Sequence, residues 1–322
     1  MPWNHEARSP ELLDAVQADL KSYAEALRDK ARSKEQLKYG VKVPDKLWDL
    51  FVPCFMNTAE TTMQPMTGGT TFVLTGDIEA MWLRDSALQV THYLPVAKTS
   101  EVVREAIRGL ILRQMDLILY DPYANSFNLE ENDQHWDEDK PKQKPAVWEQ
   151  KYEIDSLCFP FFLLDRYLEI VGDESLLAEP RVQAAWATVV RLWTLEQDHA
   201  AKSHYYFIRE DCPPQDTISH AGKGHPVAEG TGLTWCGFRP SDDACTYPFL
   251  IPSNLFAAHI LEVMAERFPE DEAAIELTGP AKRYAETGAD LEAGPEKGDG
   301  FVPEEGGYAS GEFAARTLAD KP

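Results

Sequence analysis

Cysteine is scarce and poorly spaced in this chain. Its 322 residues contain five (Cys54, Cys158, Cys212, Cys236 and Cys245), an odd number with no C-x-x-C pair. That argues against a disulfide-stapled scaffold and a thiol-ligated metal site, and fits reduced thiols in a cytoplasmic protein. No run of about 18 apolar residues occurs, so no membrane-spanning helix is expected. The opening MPWNHEARSPELL lacks the basic start and apolar run of a secretory leader. Basic residues are the other shortage: 31 Lys and Arg face 54 Asp and Glu, a formal net charge of −23. A surface of that sign repels phosphate backbones and anionic lipid, so neither nucleic acid nor a membrane is an expected partner. A neutral substrate fits better. Several catalytic signatures are missing as well. There is no G-x-S-x-G, no H-E-x-x-H, no G-x-G-x-x-G and no P-loop, and the eight histidines are dispersed. No metal and no cofactor is therefore expected.

What is present is the composition of a folded protein, 43% hydrophobic and 26% charged. The length suits one large domain or two ordinary ones. The chain reads mostly as helices. Residues 10–31 put Leu13, Val16, Leu20, Tyr23, Ala24 and Leu27 on one face behind Ser9-Pro10-Glu11. Helical spacing recurs over 101–119 and 181–197, and over 254–267 behind Ser253 as a cap. Residues 154–171 are apolar nearly all round, as in a helix buried on most sides. TTFVLT at 70–75 is the best strand pattern. The connections at 120–139 and 204–249 are long and rich in aromatics, among them Tyr123, Trp136, Tyr205, Trp235 and Tyr247. Disorder predicts few aromatics, so these read as ordered loops lining a site at one end of a helical scaffold.

Three segments combine carboxylates with aromatics and a cation: TGDIEAMWLRDS, WEQKYEIDS and GFRPSDDACTYPF. Sugar recognition uses these residue types. Aromatic faces stack on a pyranose, while Asp, Glu and Arg form charge-assisted bonds to paired hydroxyls. Glycosidic hydrolysis needs one protonated carboxyl as acid and a second as nucleophile or base. In the first segment Trp82 is expected as a pocket wall, with Asp77, Arg84 and Asp85 gripping hydroxyls or one another. A structural ion pair between Arg84 and Asp85 is the alternative. Glu153 and Asp155 diverge on a helix and share a face on a strand; one is expected to bind sugar and the other to support it. Asn125 and Asn128 read first as turn makers. Trp193 falls at helical spacing and is expected in the core, whereas Trp235, in a loop beside Arg239, is the better site candidate. Only one of Asp242 and Asp243 can face a pocket, because adjacent side chains in an extended segment point to opposite sides.

The strings FVLTGDIEAMWLRDSALQ, DPYANSFNLEEN, WEQKYEIDSLCFP, LWTLEQDH and GLTWCGFRPSDDACTYPFLIPSN closely resemble glycoside hydrolase family 125 over about residues 50–285. That resemblance implies an all-α (α/α)6 toroid with the site at one end, and a metal-independent, inverting exo-α-1,6-mannosidase. It implies Asp242 as general acid and an α-mannoside oligosaccharide as substrate. Asp77, Trp82, Arg84, Asp85, Glu153, Asp155, Trp235, Arg239 and Asp243 would contact the sugar. The family's base is a Glu in a late His-Glu-Ser-Phe stretch, which this chain lacks, and the family's Asp-Asp-x-Asn-Val-Pro-Ser segment is missing too. The expectation is an interrupted toroid over residues 1–285, followed by a divergent Gly-, Pro- and acid-rich tail over 286–322. About six or seven helices are legible where a toroid needs twelve. Impaired turnover is expected, as is self-association through an unfinished apolar edge; a non-catalytic mannoside-binding role is the alternative.

Overall fold

The computed structural model describes residues 6–38, 43–228 and 230–269. The expected tail, and the end of the expected domain beyond residue 269, lie outside the described residues. The fold is all-α. Helices α1 (Pro10–Lys38), α2 (Asp45–Thr61), α3 (Leu83–Thr91), α4 (Leu94–Ala97) and α5 (Glu101–Tyr120) come first. Then follow α6 (Ile154–Val171), α7 (Pro180–Glu196), α8 (His199–Lys202), α9 (Ser219–Gly222) and α10 (Ile251–Arg267). Short strands fill the connections: β1 (Met63–Pro65), β2 (Thr71–Val73), β3 (Met81–Trp82), β4 (Ser126–Phe127), β5 (Asp139–Lys140), β6 (Val147–Glu149) and β7 (Ile208–Arg209).

Hydrophobic periodicity accounts for the packing. In α1, Val16, Leu20 and Ala24 are fully buried at helical spacing, and α1 lies against α2 and α5. α6 has apolar residues on nearly every side because it is flanked by α3 and α10 in one row and backed by α5. α1, α5 and α7 make the second row. Two rows of helices around one core are what the (α/α) reading requires. Ser100 caps α5, its hydroxyl accepting from the Val103 N–H at 3.2 Å, and α6 stops at Gly172, whose φ of 80° suits a residue without Cβ. α10 begins earlier than its periodicity indicates. Pro252 occupies its first turn and Ser253 is buried inside the helix, so Ser253 is not the cap.

One small antiparallel sheet, in the order β3–β4–β6, positions the functional loops. Its register sets Trp82 opposite Ser126 and Ser126 opposite Glu149. Each strand adjoins a polar residue of the site. β3 leads into α3 and Arg84, β4 is preceded by Asn125, and β6 is followed by Lys151 and Glu153. The Leu83 N–H donates to the Asn125 carbonyl at 3.1 Å and extends the register by one residue. β5 pairs with β7 with Asp139 opposite Arg209, tying the two long loops together.

Candidate active site

Arg84 lies in the first turn of α3. Its Nη1 donates to Glu153 Oε2 at 2.9 Å and to Asp155 Oδ2 at 3.1 Å, and its Nε lies 3.7 Å from Asp85 Oδ2. Glu153 is the extended residue just before α6 and Asp155 is in its first turn. The chain direction changes between them, so both carboxylates reach one guanidinium nitrogen instead of diverging. Both are buried, and Glu153 also accepts from the Ser156 hydroxyl at 2.6 Å. Burial raises the Glu153 carboxyl well above the ordinary range. Arg84 opposes this, while Asp155 and Asp242 add to it. Asp155 is raised for the same first reason, against the pull of Arg84. Glu153, Asp155 and Asp85 together hold Arg84 firmly protonated despite its burial.

Asp242 belongs to this cluster. It adopts φ 63°, a left-handed conformation uncommon for a residue with a Cβ. The turn is closed by its N–H donating to the Arg239 carbonyl and by the Arg239 N–H donating to the Asp243 carbonyl, both at 2.8 Å. The conformation sends the two neighbouring acids to different places. Asp242 Oδ1 accepts from Asn125 Nδ2 at 3.4 Å, and Asp242 is among the groups that raise the Glu153 carboxyl. Among the described residues Glu153 Oε1 meets no N–H or O–H donor. Asp243 instead pairs with Arg239 and accepts from the Ser241 hydroxyl. Arg239 and Asp243 line a separate cavity of about 510 Å³, together with Thr217, Ser219, His225 and Tyr247.

The remaining expected site residues are placed differently from one another. Trp82 is nearly buried, in β3 beside Arg84. Asp85 is about one-third exposed, next to the Arg84 guanidinium. Asp77 is exposed in the turn Thr75–Ile78, outside the cluster's hydrogen bonds. Trp235 differs from its expectation. It is 1% exposed and stacks on His199 with ring centroids 3.7 Å apart, so it packs in the core much as Trp193 does and offers no open face. The reason is local. The Trp235 N–H donates to the Glu196 carbonyl, and the Glu196 carboxylate is tied to His199, Tyr123 and Ser203. This draws the 231–236 segment inward.

Sequence reasoning missed the support behind the cluster. Arg209 holds Asp139 through two bonds of 2.7 and 2.8 Å and Glu149 at 2.9 Å, all three buried. Lys151 Nζ lies 3.4 Å from Glu149 and 5.3 Å from the Phe238 ring centre. Asn125 is fully buried and joins Glu149 to Asp242, and is not the turn maker its local sequence indicates. Asn128 instead staples its loop, donating to the Gln134 carbonyl at 2.7 Å. The available signal was the cation between carboxylates in WEQKYEIDS, within otherwise apolar text. Among the described residues no group of three or more His, Cys, Asp or Glu is placed to hold a metal ion, and no helix is long and apolar enough to cross a membrane.

Comparison with known proteins fits this arrangement. Residues 44–301 match the model of a family described as metal-independent alpha-mannosidase (GH125). A solved Streptococcus pneumoniae structure, described among metal-independent alpha mannosidases and as a non-productive complex with alpha-1,6-mannobiose, is 40% identical with a TM-score of 0.71. The match covers 80% of this chain and 59% of that one. The meiotically up-regulated gene 157 protein of Schizosaccharomyces pombe is 34% identical over 69% of this chain and 46% of its own length. The chain thus spans about half the length of these two relatives. With the family match extending over most of its residues, the chain belongs to the metal-independent alpha-mannosidase family GH125.

Proposed function

We propose that this chain is built to remove terminal, non-reducing α-1,6-linked mannose from α-mannoside oligosaccharides such as N-glycan fragments, by an inverting mechanism with Asp242 as general acid. The observation that carries this reading is the Asp242 carboxyl, held by buried Asn125 beside the cluster in which Arg84 grips Glu153 and Asp155. A general acid must be anchored where its proton can meet the departing glycosidic oxygen. Arg84, Asp85 and Asp242 are the partly exposed members of the cluster; Arg84 and Asp85 would bind hydroxyls, with Trp82 as the adjoining wall. Glu153 and Asp155 would fix the guanidinium from behind. Asp77, Arg239 and Asp243 would act only on more distant parts of a substrate.

Inversion also needs a second carboxylate about 6.5–9.5 Å from the acid, to deprotonate water on the opposite face of the sugar. The resemblance places that base in a His-Glu-Ser-Phe stretch absent from the 322 residues. Turnover by the chain alone is accordingly proposed to be severely reduced while mannoside binding persists. The same absence favours the second reading, a mannoside-binding protein without catalysis. Incubation with α-1,6-mannobiose, followed by proton NMR, tests both. Early appearance of β-mannose, abolished in Asp242→Asn, supports the inverting enzyme. Early α-mannose overturns inversion. Mannose-selective saturation transfer without hydrolysis supports the binding reading, and neither hydrolysis nor transfer overturns both.

A further inference from the structure

We propose that Asn125 is a positioning residue for the Asp242 carboxyl; the inference rests on the reading of Asp242 as the acid. The argument is an account of the Asn125 side-chain amide. Its Oδ1 accepts the backbone N–H of Lys151 at 3.3 Å. That bond fixes which end of the amide is oxygen, because a flipped amide would set N–H against N–H. Nδ2 then has two hydrogens and two acceptors, Glu149 Oε2 and Asp242 Oδ1, each at 3.4 Å. Every polar atom of this fully buried side chain is thereby used.

Glu149 is not free to take over the role. Its Oε1 is held by Arg209 at 2.9 Å and approached by Lys151 at 3.4 Å. Asn125 is also held by its backbone, since its carbonyl accepts the Leu83 N–H one residue before Arg84. One residue therefore links the start of α3, the Lys151–Glu153 segment and the acid-bearing loop. By donating to Oδ1 it leaves Oδ2 as the Asp242 oxygen that carries and delivers the hydrogen. The charged groups around Asp242 are Glu153 and Asp155 at the start of α6, Arg84 on α3, Glu149 at the end of β6, Lys151 just after it, and Arg239 on its own turn.

The decisive variant is Asn125→Asp, which keeps the size and the acceptor for Lys151 but replaces the donor with a carboxyl. Two measurements on the 322-residue chain decide the matter. In hydrolysis of α-1,6-mannobiose, kcat is expected to fall about 100-fold with KM within about threefold. The basic limb of the kcat/KM profile should move to higher pH, because an added negative charge retains the acid's proton. Unchanged kcat and an unmoved basic limb would overturn the inference while leaving the mannosidase reading intact. In the proton–nitrogen NMR spectrum, Asp242→Ala should shift one side-chain amide hydrogen of Asn125 and leave the other near its original position. If neither hydrogen moves, the inference fails whatever the activity. If the parent chain hydrolyses nothing, the mannosidase reading is in question, and the amide signals still decide whether Asn125 holds Asp242.

Discussion

Arg84 Nη1 donates to Glu153 Oε2 at 2.9 Å across 69 positions of sequence, and the carboxylate it meets is completely shielded from water. A buried carboxylate of this kind is tolerated only with a partner. Removing the cation leaves Glu153 and Asp155 facing each other without compensation.

Arg84→Met is therefore expected to destabilise the protein by about 3–5 kcal/mol at pH 8. At pH 5 the loss should be smaller, since both carboxyls can then take protons in place of the guanidinium. Guanidinium chloride unfolding at the two pH values measures the difference. Equal losses at both would mean that the ion pairs are not what the substitution removes.

Glu153 gives a second pH signature. Its folded-state proton affinity is raised above the ordinary value near 4.5, first by burial. The native state then binds more protons than the unfolded chain as pH climbs past 4.5, so this group's contribution to stability declines with rising pH. Glu153→Gln removes the decline. Its melting temperature relative to the parent should improve steadily from pH 4.5 to pH 8, by about 2–4 °C for each kcal/mol relieved. A constant offset across that range would contradict the assignment.

Asp242 combines a left-handed backbone with a carboxyl that adds negative charge beside buried Glu153. Asp242→Gly relieves both and should raise the melting temperature by about 2–4 °C, while abolishing any hydrolysis that depends on the acid. Asp242→Val should lower the melting temperature, since a β-branched residue tolerates this conformation poorly. Calorimetry on the two variants checks the opposite signs.

Gly109 lies inside α5, where alanine ordinarily favours the helix by about 1 kcal/mol. Here an added Cβ would come within 2.8 Å of the Gly69 carbonyl oxygen and 3.0 Å of the Thr70 carbonyl carbon. Both are backbone atoms that cannot rotate away. Gly109→Ala is thus expected to cost about 1–3 kcal/mol, and urea unfolding with a stabilised variant would refute the close approach.

The major helices were legible because their periodicity is local. α5 and α6 appear at nearly the bounds expected from Val103, Ile107, Leu110 and the LCFPFFLLDRYLEIV run. α2 was not foreseen. Its Pro53 sits inside the helix, where proline normally argues against one, and packing around buried Met56 and Ala59 outweighs the lost hydrogen bond. The residue types of the site could be read from the text, whereas their partners could not. Asp139–Arg209 and Arg84–Asp155 join positions about 70 residues apart, and only the strand register places them together. Trp235 was misjudged for the same reason: the His199 ring that covers it is remote in sequence.

The pairing of Arg84 with Glu153 and Asp155 does not involve the 237–245 turn, so those charges can be neutralised before that turn docks. Asp242 gains its surroundings only when its own segment, 117 residues downstream of Asn125, closes over them. Loop-closure entropy makes such distant contacts late events in folding. The scaffold can mature around a settled ion pair, and chemical competence arrives as its final increment.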